Sequence, residues 1–432
     1  MRDGLSSEDG SPARFRWLPP RLRPAVPMVW RQERIFLLVG AAALFAGFDQ
    51  NIFGLAIPQI QVSLSIPENM VGVTVAYFRV AALAALLVAA SADLVGRRRL
   101  LLMTILGQAT FTLLTAATTQ YGPFVAAQFL TRVFGYAEEM LCFVVIAEEV
   151  SAGARGWANG TLSAMDYTGA GLASLVFALV NFLPFGWRAI YVIGALPIFL
   201  VAYLRRNLPE TRRFKAQEGL QTFSTRAAAT LALLKDLARQ YPGRIATIVI
   251  AAAAFGFATG PASVLSSKYL QDVYHYAPGQ VTMLFIPGGF VGLGMAILAG
   301  RLSDRVGRKP VTFAIAIIAG ISFYLFYSGV GAIWMPTLWI LSFFGFFSGE
   351  AMISGFALEI VPTHYRATVS GLRYVVYIGM GAVSLTLEGR LFDHFHAHGP
   401  AIQALLCTIP ITLIAILFLP EPAGKTLEEM AP

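Results

Sequence analysis

Long apolar stretches dominate the chain. Residues 35–58, 70–92, 100–118, 123–147, 157–181, 188–204, 245–267, 279–300, 310–328, 334–360, 367–388 and 401–419 are each largely hydrophobic, with short polar segments between them. At 1.5 Å of rise per residue, a helix of about 18 residues or more crosses the roughly 30 Å hydrocarbon core of a bilayer. Lipid offers no partner for backbone N–H and C=O groups, so each stretch must satisfy its own as a helix. The pattern predicts an all-α integral membrane protein with twelve transmembrane helices.

Of the 432 residues, 56% are hydrophobic and only 13% are charged. A soluble fold has no place for so much apolar surface, which excludes soluble enzymes, nucleic-acid readers and disordered scaffolds. The net charge of +8 does not mark a nucleic-acid partner, because the cations sit in short loops between apolar runs. With the N-terminus inside, the inner segments hold 26 Lys and Arg, against Arg188, Lys268 and Arg390 outside. That asymmetry predicts both termini in the cytosol. The expected organisation is a disordered cytosolic tail (1–30), a six-helix bundle (31–204), a basic linker (205–243), a second six-helix bundle (244–419) and a cytosolic tail (420–432). The linker reads as an amphipathic strip on the anionic inner leaflet. Cys142 and Cys407 lie inside apolar stretches, so neither a disulfide framework nor a Cys-based metal site is expected. No uninterrupted apolar run precedes Ile35, so a cleavable signal peptide is not expected either.

An internal repeat divides the spans six and six. Asp93-Leu94-Val95-Gly96-Arg97-Arg98 follows the second span, and Asp304-Arg305-Val306-Gly307-Arg308-Lys309 follows the eighth, 211 residues later. The same offset relates Glu148 and Arg155 to Glu359 and Arg366, and Glu139 to Glu350. Duplicated halves of this kind are an organisation of secondary transporters.

These residues carry a resemblance. Over residues 31–429 the chain resembles a major facilitator superfamily transporter. GRLSDRVGRK at Gly300–Lys309 reproduces that superfamily's loop motif, and AASADLVGRR in the first half has Ala89 where the family has Gly. GFDQNIFGLAIP in the first span, the spacing of Glu148 and Arg155, LPET at Leu208–Thr211 and the C-terminal PEPAGKTLEE look like the branch of sugar porters, metabolite:proton symporters and aromatic acid:proton symporters. Gly47-Phe48-Asp49 is similar to the aromatic-acid symporter pattern, with Ala46 where that family has a second Asp; the sugar-porter Gln-Gln signature is missing from the seventh span. The resemblance implies the major facilitator fold, alternating access, a monomer and a multi-pass plasma-membrane protein, the bacterial inner membrane being the expected one. It also implies that Asp93, Gly96, Arg97, Arg98, Glu148 and Arg155, with Asp304, Gly307, Arg308, Lys309, Glu359 and Arg366, act as inner-side gating latches. Physically, acids at helix ends can bond to Arg or to a helix N-terminus in one conformation and release it in the other.

Charges inside the spans are costly, about 2.5–3.5 kcal/mol each on insertion scales, and so point to function. Those at span centres are Asp49, Arg79, Arg132, Glu138, Glu139, Asp166, Glu350 and Arg373; the third, sixth, ninth and twelfth spans have none there and are expected to face lipid. By helical rise, Asp49, Arg79 and Arg132 fall roughly 13–15 Å below the outer surface. Gln128, Arg132, Gly135 and Glu139 follow an i, i+4, i+7, i+11 spacing and share one helix face, with Glu138 turned about 100° away. In the repeat this stripe becomes Trp339, Phe343, Phe346 and Glu350. The reading is a division of labour: charge and protons in the first half, a planar apolar wall in the second. Asp49, Glu139 and Glu138 are the proton-coupling candidates, with the choice between the two Glu residues open. Arg79, Arg132, Gln128, Trp339, Phe343, Phe346 and Glu350 are the substrate-binding candidates, since a guanidinium fork matches a carboxylate. Asp166 and Arg373 form either a structural ion pair or part of this set.

The expected activity is proton-coupled symport of a small organic anion, an aromatic carboxylate among the candidates, and not catalysis. A sugar or polyol carrier, a drug exporter and a non-transporting receptor are the alternatives. No GxxxxGK[ST] phosphate loop is present, so nucleotide-driven transport is not expected. His275, His364, His394, His396 and His398 fall in loops or at span ends; the alternating His394, His396 and His398 read as a solvated outer loop rather than a metal site, and no cofactor is expected.

Overall fold

The computed structural model describes residues 23–24, 28–92, 96–150, 154–206, 223–362 and 365–421. The described chain is dominated by helix. In order, the helices are α1 Trp30–Leu55, α2 Ile57–Leu64, α3 Glu68–Ala90, α4 Arg97–Ala117, α5 Tyr121–Glu149, α6 Arg155–Phe177, α7 Trp187–Arg205, α8 Phe223–Gln240, α9 Pro242–Val264, α10 Ser266–Tyr274, α11 Pro278–Val306, α12 Arg308–Phe326, α13 Met335–Glu359, α14 Arg366–Phe395, α15 His398–Leu406 and α16 Ile409–Phe418. A short 3-10 turn, Ala332–Trp334, leads into α13.

Among the described residues ten stretches, with the 3-10 turn joined to α13 and α15 joined to α16, are long and apolar enough to cross a membrane. Helices α5 and α6 match them in length, at 29 and 23 residues, but carry Arg132, Glu138 and Glu139, and Asp166. Every predicted apolar stretch coincides with one of these elements. The predicted lipid-facing spans correspond to α4, α7, α12 and α16, and each exposes an apolar row: Met103, Leu106 and Leu113; Leu196, Leu200 and Leu204; Ile321, Tyr324 and Leu325; Ile411, Ile414 and Leu417.

The chain divides into two compact units. The first runs to Phe53 and resumes from Ala81 to Phe223; the second combines Gly54–Val80 with the chain from Ser224 onward. In the first unit α4 packs on α5 and α7, around a core of Phe36, Val39, Ile105, Leu141, Ile146 and Ile198. In the second, α9 packs on α14 and α12 on α13. Helix α8 inserts Leu237 into the core formed by Ile248, Phe356 and Ile360, and the Tyr365 hydroxyl donates to its Asp236 carboxylate.

Small residues let backbones touch, which substitutes for the missing hydrophobic drive between helices in lipid. A Cβ on Gly169 of α6 would overlap the Leu44 carbonyl of α1, and one on Gly47 would overlap the Asp166 carbonyl. The second unit repeats the device: a Cβ on Gly256 of α9 would overlap the carbonyl of Tyr377 on α14, the residue 211 positions after Asp166. In the loops the repeat keeps the full 211-residue offset. Gly96 and Gly307 precede α4 and α12 with φ of 97° and 118°, a region that favours glycine.

Candidate functional site

In the first unit a buried polar layer joins α1, α4 and α5. Asp49, Gln108, Thr112, Thr115, Gln128 and Arg132 are all buried. Thr112 Oγ1 donates to Asp49 Oδ1 at 3.0 Å, and Gln128 Nε2 donates to Thr115 Oγ1 at 3.1 Å. The Asp49 carboxylate is buried beside Gln108, and Arg132 supplies the positive charge next to it. Counting charges by span overlooks α4, whose contribution consists of a Gln and two Thr residues.

The two adjacent glutamates of α5 face different surroundings, as the 100° rotation per residue dictates. Glu138 forms an ion pair with Arg205 in which both side chains are buried, and it also accepts from Thr104 Oγ1 at 2.5 Å. Arg205 Nε and Nη2 donate to the Leu38 carbonyl at 3.2 and 3.0 Å. Arg205 thus closes α7 inside the protein, where the sequence places it at the start of the linker. Glu139 instead accepts from Gln50 Nε2 at 3.5 Å and lines a cavity of about 90 Å³ with Ala43, Cys142, Leu162, Ser163 and Asp166. A cavity of that volume holds several waters.

The second unit holds the other half of the predicted set. Arg79 of α3 reaches between α9 and α14: Nη2 donates to the Gly260 carbonyl at 3.4 Å, and Nη1 fills the space a Cβ would take on Gly381. On α13 the rings of Trp339 and Phe343 stand 4.3 Å apart, with Phe285 of α11 4.8 Å from Trp339 and Phe346 6.3 Å from Phe343. The stripe ends at Glu350, which pairs with Arg373 Nη2 of α14 at 2.8 Å. Of the two alternatives for Arg373, the ion pair with Asp166 is not the one formed: its partner is Glu350.

The latch residues show the repeat at atomic detail. Arg97 Nη2 pairs with Glu148 at 3.1 Å and Nη1 donates to the Ala92 carbonyl. At the same offset, Arg308 pairs with Glu359 at 3.2 Å and Nη1 donates to Ser303 Oγ. Arg308 also binds Asp304 at 2.6 Å. The first pair is buried and the second half-exposed. Arg98 Nη2 donates to the Arg206 carbonyl at 2.6 Å, and Arg366 Nε and Nη2 are buried without a hydrogen bond. Asp93 and the side chain of Arg155 lie outside the described residues. Glu421 is an addition: its carboxylate accepts from the backbone N–H groups of Arg308 and Lys309 at 2.7 and 2.9 Å, satisfying the start of α12.

Sequence reasoning also misplaced a histidine. His398, expected in a solvated loop, starts α15 with Nδ1 2.6 Å from Glu388 and Nε2 3.0 Å from Glu68. Buried Lys268 binds Glu68 and Asp272 beside it. Among the described residues no three His, Cys, Asp or Glu side chains converge as a metal site.

The family model of the Major Facilitator Superfamily matches residues 39–385, most of the chain. The protein belongs to the Major Facilitator Superfamily. It is a multi-pass membrane transporter and not an enzyme. A protein of Cupriavidus pinatubonensis named "Probable 4-methylmuconolactone transporter" is 24% identical over 413 residues, 93% of each chain. A citrate-proton symporter of Salmonella typhi is 25% identical over 319 residues, covering 67% of this chain and 69% of that protein. Among solved structures, the xylose transporter XylE of E. coli in an inward-open conformation superposes with a TM-score of 0.71 at 19% identity, covering 92% of this chain and 99% of that one. At that identity the likeness is one of fold.

Proposed function

We propose that this superfamily member is a proton-coupled symporter of a small organic anion, with twelve spans in two six-helix halves, both termini cytosolic, working as a monomer in a bacterial inner membrane. The observation that carries the reading is the separation of chemistry between the units. Asp49, Glu139 and Asp166 gather in the first, while Arg79, Glu350, Arg373 and the aromatic stripe gather in the second. Carboxylates held among apolar helices carry protons, and a guanidinium beside rings holds an apolar acid. Asp49 is the preferred coupling group and Glu139 the second. Glu138 is committed to Arg205 and serves as structure. Arg97 with Glu148, and Arg308 with Asp304 and Glu359, act as the inner latches. The names of the muconolactone and citrate-proton relatives support an acid or a compound derived from one as substrate.

The test is uptake of aliphatic and aromatic carboxylates, with sugars as controls, into proteoliposomes under an inward proton gradient. Wild type accumulates an acid only with the gradient, whereas Asp49→Asn retains counterflow and loses accumulation. Accumulation of sugars instead, or undiminished accumulation by Asp49→Asn, refutes the assignment.

A further inference from the structure

The second unit contains buried donors that the fold leaves unused. Arg79 Nη1 and Arg373 Nε and Nη1 are buried with no hydrogen-bond partner, and Arg373 is only 4% exposed. Unpaired guanidinium donors away from water are expensive, and proteins retain them where something else completes the shell. The two arginines belong to one seam. Tyr377 of α14 packs on Gly256 of α9, and one turn further along both helices Arg79 packs on Gly381 and Gly260. Arg373 is one turn before Tyr377 on α14. Buried Tyr377 therefore stands between the two cations, beside Thr259 and within electrostatic reach of Arg79, Arg373 and Glu350.

Charge decides what fits. Arg79 and Arg373 bring two positive charges and Glu350, paired with Arg373, removes one. One positive charge is left among apolar helices, a situation that a single anion neutralises and a dianion overshoots. The aromatic stripe of α13 shares a helix face with Glu350, and half-buried Phe346 stands one turn before that acid as the apolar residue nearest the cluster along the stripe. We propose that Arg79, Arg373 and Tyr377 form a buried site for one carboxylate group, with Glu350 as the resident counter-ion of Arg373, so that the site selects monocarboxylates bearing an apolar ring. Arg79 is the anchor, Tyr377 adds a hydroxyl donor, and the free Nη1 of Arg373 completes the site. This rests on the organic-anion reading above and specifies its substrate class.

The experiment measures binding to the purified full-length protein by titration calorimetry, with benzoate, 4-methylbenzoate and phenylacetate as monocarboxylates, phthalate as a dianion and benzamide as a neutral isostere. At least one monocarboxylate binds about tenfold or more tightly than phthalate and benzamide. Arg79→Gln weakens it by about 10- to 100-fold, the loss of a charge-assisted bond. Tyr377→Phe weakens it by about 3- to 10-fold, the loss of a neutral one. Arg305→Gln, at the exposed end of α11, is the control, and thermal unfolding confirms that each variant is folded. If Arg79→Gln or Tyr377→Phe is unfolded, Arg79→Lys, which keeps charge and removes the fork, is measured in its place and is weakened by a similar factor. Undiminished binding in folded Arg79 and Tyr377 variants, or equal binding of benzamide, overturns the site. Loss of binding in Arg132→Gln alone moves the anion to the first unit and overturns the site while the symporter reading stands. No carboxylate binding to wild type overturns both.

Discussion

Removing Arg205 separates a structural role for Glu138 from a transport role. Arg205 is fully buried, gives two donors to the Leu38 carbonyl and pairs with Glu138. Arg205→Met leaves the Glu138 carboxylate in the core with Thr104 and Cys142 as its remaining partners. Breaking a buried pair from one side costs about 3–5 kcal/mol. At roughly 2–4 °C per kcal/mol for a unit of this size, the unfolding midpoint falls by roughly 6–20 °C. Replacing both partners, as in Glu138→Met with Arg205→Met, removes the stranded charge, and much of the loss returns. The assay is scanning fluorimetry of the two single variants and the double variant in one detergent, analysed as a double-mutant cycle. Two results refute the reasoning: additive single losses with no coupling, or a Glu138→Gln protein of wild-type midpoint that no longer accumulates substrate on a proton gradient.

Three further outcomes follow from the same geometry. Glu421→Gln removes the charged acceptor at the start of α12 and lowers stability by about 1 kcal/mol, read as a drop in unfolding midpoint that is absent from the exposed-site variant Arg305→Gln. Gly169→Ala places a methyl on the Leu44 carbonyl, so the α1–α6 seam must open at a cost of about 1–3 kcal/mol, whereas Gly171→Ala, which meets open space, is tolerated. The Tyr365 phenol donates to Asp236 and its pKa is pushed up to about 12 by that bond. Because the folded value is above the ordinary one near 10, the stabilisation it gives is intact below about pH 10 and is lost as pH rises toward 12. The difference in midpoint between wild type and Tyr365→Phe is therefore constant from pH 7 to 9 and shrinks above that.

What the sequence discloses and what it hides divide along physical lines. Span-length apolar runs are local and leave little choice of structure in lipid, so their positions coincide with the observed helices. The two-turn helices α2 and α10 fall below span length and escape that criterion. The 211-residue offset anticipates paired geometry, since Arg97 with Glu148 and Arg308 with Glu359 are held alike. Rotation along α5 separates Glu138 from Glu139 in advance, yet the partner that fixes Glu138 is invisible, because Arg205 sits at the polar end of its span and only packing buries it. Glu388 and His398 lie ten residues apart, but Glu68 is 330 residues from His398, and the pattern along any one segment cannot bring it to them. The Arg373–Glu350 pair likewise depends on how α13 meets α14.

The most direct test of proton–anion symport is the pH inside proteoliposomes loaded with a pH-sensitive dye when an aromatic monocarboxylate is added outside. Wild type acidifies the lumen in step with uptake of labelled acid, while Asp49→Asn exchanges the label without moving protons. Uptake of the acid by wild type with no accompanying proton flux contradicts the account.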